Sequence, residues 1–214
     1  HADLLQGILT RCKAEGFHLI VKLLDGGELV QNLERFLAQV RLDGAVITAP
    51  LSDDPALLKV LASYGVPTVR VAPRETMPGE LTVGIDDMHA AMEIVDHVVA
   101  LGHRRIGFVE GTPGLAATVQ RARGYRAALE RHGIDFDAAL VRPGHFDIAS
   151  GEAAGMELLA LPDPPTAIIA SNDETAAGVL AAASSVGVRV PDQLSVCGFD
   201  DSMIARIILP RLTT

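Results

Sequence analysis

The chain has 214 residues, enough for one large domain or two small ones, and its 49% hydrophobic and 21% charged residues describe a packed globule rather than a disordered chain. A net charge of −9, with 27 acidic residues scattered among 18 basic ones, excludes a phosphate-backbone grip by these residues themselves. Aromatics at 4% and the absence of Trp exclude a base-stacking platform.

The opening stretch HADLLQGILTRCKAEGF reads as an amphipathic helix rather than a signal peptide. No apolar run approaches the roughly 20 residues of a membrane span, so no membrane partner and a cytosolic location are expected. Short β-branched runs then alternate with helical stretches. The strands are expected at HLIVKLL (18–24), GAVITA (44–49), PTVRVA (67–72), LTVGID (81–86), RRIGFVE (104–110), TAIIAS (166–171) and LSVCGF (194–199). The helices are expected at Glu28–Val40, Ala56–Ser63, Met88–Leu101, Val119–His132, Ile148–Leu159 and Glu174–Val186, several ending near a glycine.

Such βα alternation with continuously apolar strands implies an α/β fold of parallel sheets covered by helices on both faces. The Pro/Gly-bearing stretch PRETMPGE and the fresh set of βα units after Asp86 place a boundary near Asp86–Asp87. Two Rossmann-like lobes are expected, 1–86 and 87–214, with pieces missing at both ends. Cys12 and Cys197 lie far apart with no CxxC, and both are expected to be buried, reduced thiols.

Ligands of open parallel sheets bind beyond the carboxyl ends of the strands. TAIIAS ends in Asn172-Asp173 and LSVCGF ends in Asp200-Asp201. IGFVE leads through 111–117 to Arg121 at the start of a helix, and GHFD puts Phe146 ahead of another. A carboxamide, a carboxylate and a guanidinium match vicinal hydroxyls, and a phenyl ring can cover the apolar face of a sugar or similar heterocycle. Each has a plainer reading. Asn172 and Asp173 can cap the next helix, Asp200 can hold its own turn, Phe146 can be core, and Arg121 can join Arg123 and Arg126 on a solvated face.

Enzyme signatures are absent. No GxGxxG or GxxxxGK[ST] follows a strand, so no nucleotide cofactor is expected. There is no GxSxG elbow, and the seven histidines form no HExxH, so no metal site is expected. The pairs Asp86-Asp87 and Asp200-Asp201 are adjacent, and adjacent carboxylates point in different directions, which disfavours an acid–base dyad.

The ordered set RLDGAVITAP, VGIDDMHAAMEIVDHVVALGHRRIGFVEG, QRARGYRAAL, PTAIIASNDETAAGVL and VPDQLSVCGFDDSMIARIILPRLTT resembles the LacI/GalR repressor family over almost the whole chain. The resemblance implies a periplasmic-binding-protein-like (type I) core that binds an effector, expected to be a sugar, in the cleft between its lobes. It also implies a homodimer, and operator DNA contacted only through an N-terminal helix-turn-helix absent from these residues. By motif position it implies effector contacts from Arg121 of RxxGY, Asn172 of SND, Asp200 of GFDD and Phe146 after GH. Ala117 stands where the family often carries a small hydroxyl residue, with Thr118 beside it, and Asp87 replaces the more usual asparagine. A transporter's periplasmic sugar-binding protein shares the fold. The GHRRIG segment, the VPDQLSVCGFDD–PRLTT ending and the unpaired cysteines favour the regulator.

Overall fold

The computed structural model describes residues 2–24 and 27–214; His1, with which the expected opening helix begins, lies outside them. In chain order the helices and strands are α1 (Ala2–Ala14), α2 (Leu29–Leu37), β1 (Ala45–Thr48), α3 (Pro55–Ser63), β2 (Thr68–Val71), β3 (Leu81–Val83), α4 (Asp87–Ala100) and β4 (Ile106–Val109). They continue with α5 (Ala116–Arg131), β5 (Val141–Arg142), α6 (Ile148–Leu159), β6 (Ala167–Ala170), α7 (Asp173–Ser185), β7 (Ser195–Cys197) and α8 (Met203–Ile207). All six helices expected between residues 28 and 186 form.

One compact unit comprises residues 1–45 and 54–68. Its α3 starts where Asp54 accepts hydrogen bonds from the Ala56 and Leu57 amides at 2.9 and 3.0 Å, with Pro55 at the first helical position. Leu33 and Leu37 of α2 are buried, as are Leu57, Val60 and Leu61 of α3, and the two helices pack together. The strand expected over 18–24 does not form: residues 17–24 lack regular structure and Leu23 is 85% exposed. A strand exists only through hydrogen bonds to a neighbour, and no described strand pairs with this apolar run.

The other unit comprises residues 46–53 and 69–214. These contact-based units do not coincide with a cut at Asp86–Asp87. Across that cut, Arg74 donates to the Gly114 carbonyl. The shorter sheet has the order β1-β2-β3, with β2 and β3 parallel. The larger, wholly parallel sheet has the order β5-β4-β6-β7.

Period-two alternation sends the strands of the larger sheet into two cores. Ile106, Phe108, Ala167 and Ile169 join Val95 and Val98 of α4 and Tyr125, Ala128 and Leu129 of α5 on one face. Val109, Ile168 and Ala170 join Ala154 and Leu158 of α6 and Ala176 and Val179 of α7 on the other. The expected α/β architecture, a parallel sheet between two helical layers, is thus present.

The helical layers approach closely through glycine. A Cβ on Gly178 would collide with the Ile148 carbonyl oxygen, and one on Gly124 would collide with the Met88 carbonyl oxygen. Tyr125 stacks on Phe108 with ring centroids 4.8 Å apart and donates its hydroxyl to the Ile106 carbonyl at 2.8 Å. Burial pushes that phenol up to about 12, so it stays a neutral donor.

Gly178→Ala is expected to cost about 1–3 kcal/mol, the usual penalty of overpacking. Urea denaturation measures it, and an unchanged midpoint would show that α6 and α7 separate freely. Cys197 is buried and its thiol is pushed up to about 11 by that burial, whereas Cys12 is only half-buried. Native thiol labelling should therefore modify Cys12 well before Cys197.

Candidate functional site

The carboxyl edge of the four-stranded sheet gathers the ends of β4, β6 and β7 with the starts of α4, α5, α6 and α7. Arg121 lies at its centre. Helix α5 begins at Ala116, three residues earlier than expected, so Arg121 stands in its second turn rather than at its start. A place at the helix start therefore does not explain this residue. Burial does: the Arg121 side chain is only 9% exposed.

A buried guanidinium must be answered on every side. Its Nε donates to Asp87 Oδ1 at 2.7 Å, and that carboxylate is itself only 11% exposed. One amino group donates to the Ser171 carbonyl at the end of β6, and the other faces Asp200 Oδ1 at 3.8 Å. The guanidinium carbon lies 3.5 Å from the centre of the Phe199 ring, and the Phe146 ring is 5.8 Å away. Gly124, one turn along α5, lets the first turn of α4 come near enough to bring Asp87 within reach. The motif RxxGY thus encodes a buried charge, a close helix approach and an anchored tyrosine.

Asn172 realises the capping alternative. Its Oδ1 accepts from the Thr175 amide at 2.9 Å at the N-terminus of α7, and its Nδ2 donates to the Phe146 carbonyl at 3.1 Å. The second hydrogen bond steadies a loop in which Phe146 has a left-handed backbone, φ +60°. The half-buried Phe146 ring lies over Gly111, where a side chain would collide with it. Ala117 is half-buried in the first turn of α5, and the neighbouring Thr118 hydroxyl donates to the Thr112 carbonyl at 2.7 Å. Thr118 thus ties down its own loop.

Asp200 is the most accessible carboxylate of the group, its side chain 48% exposed. Its φ of +111° and the +47° of Asp201 are conformations that residues with a Cβ adopt at a cost, of the kind concentrated at functional sites. Partial burial pushes the Asp200 carboxyl above the usual carboxylate range; the Arg121 charge opposes this, and those of Asp173 and Asp87 reinforce it. Asp173 is fully buried, accepting from the Ser202 amide at 2.7 Å through Oδ2, while Oδ1 has no hydrogen-bond partner among the described residues.

The structure therefore brings Arg121, Phe146, Asn172 and Asp200 to one edge, with Ala117 on the adjoining turn. Asp87, Asp173, Ser171 and Phe199 complete the group without having been singled out as site residues. Asp87 was visible as a departure from the family pattern, and Phe199 immediately precedes Asp200, but nothing in linear spacing pairs Asp87 with an arginine 34 positions away. No group of three or more His, Cys, Asp or Glu side chains among the described residues is arranged to hold a metal ion.

Arg121→Ala would leave Asp87 buried without its partner, at a cost of about 3–5 kcal/mol. Arg121, expected as an effector contact, is therefore structural as well. Adding Asp87→Ala should recover part of the loss. A double-mutant cycle by chemical denaturation tests this, and additive losses would show that the pair is not coupled.

Residues 95–214 match the family model described as a periplasmic binding protein-like domain. The whole chain is 33% identical over 214 residues to a protein of Bacillus subtilis (strain 168) named "probable HTH-type transcriptional repressor ExuR", spanning 62% of that relative's length. Among solved structures, 99% of the chain superposes on a transcriptional regulator CelR–cellobiose complex with a TM-score of 0.86 and 31% identity, covering 65% of that chain. A LacI family transcriptional regulator from Mycobacterium smegmatis gives a TM-score of 0.82 at 29% identity, over 99% of this chain and 77% of that one. Its motifs, its parallel α/β fold and these relatives together show that the chain belongs to the LacI family of transcriptional regulators, as an effector-binding domain of the periplasmic-binding-protein-like fold.

Proposed function

We propose that this domain senses a small neutral sugar at the carboxyl edge of its four-stranded sheet and serves as the ligand-sensing and dimerisation core of a DNA-binding regulator. One observation carries the reading. A half-exposed carboxylate, a buried guanidinium, a capping carboxamide and a phenyl ring converge at the ends of β4, β6 and β7. Asp200 offers acceptors to ligand hydroxyls, Phe146 offers a face for the ring of a sugar, and Asn172 holds Phe146 in place. The similarity to a regulator solved with cellobiose supports a sugar as the ligand class.

In this reading Arg121 organises the site more than it binds, because three of its contacts are already to protein. Operator DNA is contacted by parts of the regulator outside these residues, in keeping with their net charge of −9. The effector biases one conformation of a symmetric homodimer, and a coupling of about 1–3 kcal/mol suffices for such a switch.

A thermal-shift screen against neutral mono- and disaccharides is expected to find ligands that raise the melting temperature, since they bind the folded state alone. Asp200→Asn should then weaken the best of them by about 10- to 150-fold in calorimetric titration, the equivalent of one hydrogen bond to a charged group. Phe146→Ala should weaken it without lowering the melting temperature of the free protein. No stabilising sugar, or affinities indifferent to both substitutions, would refute the reading.

A further inference from the structure

The charge balance at the strand edge is unusual for a place built around an arginine. Two carboxylates, Asp87 and Asp200, face one guanidinium and a third, Asp173, acts on Asp200, while Arg121 already donates to Asp87 and to the Ser171 carbonyl and turns its remaining amino group towards Asp200. An anionic ligand seeking Arg121 would have to displace Asp87, which is nearly buried and held at 2.7 Å, or come against Asp200. The fully buried Asp173, one of whose oxygens has no hydrogen-bond partner among the described residues, adds a further carboxylate that acts on Asp200.

We propose that Asp87 is a specificity-determining residue: by neutralising Arg121 it leaves Asp200 and Asp173 uncompensated, so the site admits neutral or ammonium-bearing polyols and rejects carboxylated and phosphorylated ones. The proposal rests on the strand edge being the effector site. An asparagine at this position would still accept a hydrogen bond from Arg121 Nε while leaving the guanidinium charge free. The choice between Asp and Asn at position 87 therefore changes how strongly the site repels an anionic ligand without changing its shape. At separations of several ångströms and the intermediate dielectric of a half-open site, each uncompensated unit charge alters the affinity for an anion by roughly tenfold.

Inorganic phosphate is a probe that needs no knowledge of the natural effector. Its affinity for the wild-type protein, Asp87→Asn, Asp200→Asn and the double variant is measured by calorimetric titration at low ionic strength, where screening is weak. Circular dichroism confirms the fold of each variant, and the accessible Asp200→Asn remains informative should Asp87→Asn fold poorly. The expected result is phosphate affinity at least about tenfold above wild type in each single variant and higher still in the double variant. Affinity equal to that of the wild-type protein in every variant that folds would overturn the proposal.

A matched series of glucose, glucosamine and glucuronate separates this inference from the sugar reading. If no sugar stabilises the protein but phosphate affinity rises in the variants, the sugar reading fails and the charge rule stands. If glucuronate binds the wild-type protein more tightly than glucose does, the charge rule fails, and with it the neutrality of the ligand, while the strand edge stands as a sugar site.

Discussion

A guanidinium withdrawn from water is the constraint around which the strand edge is organised. Arg121 cannot shed its charge, and leaving it unanswered in a buried position would cost several kcal/mol. Answering it draws four elements together. Asp87 comes from the first turn of α4, the Ser171 carbonyl from the end of β6, and Phe199 with Asp200 from the chain leaving β7, while α5 holds Arg121 itself. Each partner is bound to Arg121 through a different kind of contact, so the geometry is over-determined. Such a centre can hold neighbouring residues in conformations they would not adopt alone.

Those conformations are concentrated where a ligand would be met. Phe146, Asp200 and Asp201 all have left-handed backbones although none is glycine. Phe146 is held by the Asn172 amide from above and by the bare backbone of Gly111 beneath its ring. The sheet below is the rigid support: β4 and β6 are buried along their whole length and packed on both faces by apolar side chains. Loops on such a platform present polar groups without having to supply stability of their own.

The same centre separates two roles that a list of polar residues would merge. Arg121 and Asn172 spend their hydrogen-bonding capacity mostly on the protein, one on a carboxylate and a carbonyl, the other on a helix cap and a loop. Asp200 and Phe146 keep surface available. Binding groups are thus a minority of the site, and the groups that position them set its charge.

The βα alternation, the six helices between residues 28 and 186 and the polar ends of TAIIAS and LSVCGF were legible in the sequence, because hydrophobic period and strand-end polarity are local properties. The strand expected at 18–24 was not decided locally, since extended backbone becomes a strand only beside a partner. The surroundings of Arg121 were likewise beyond linear reading. Its position in the chain suggested a ligand contact, with a cation on a solvated face as the plainer alternative, whereas the fold buries it against Asp87 and Phe199, residues 34 and 78 positions away. Sequence determined which polar groups reach the sheet edge. Tertiary structure alone decided which of them are consumed by one another, because burial and pairing depend on distances that chain separation does not encode.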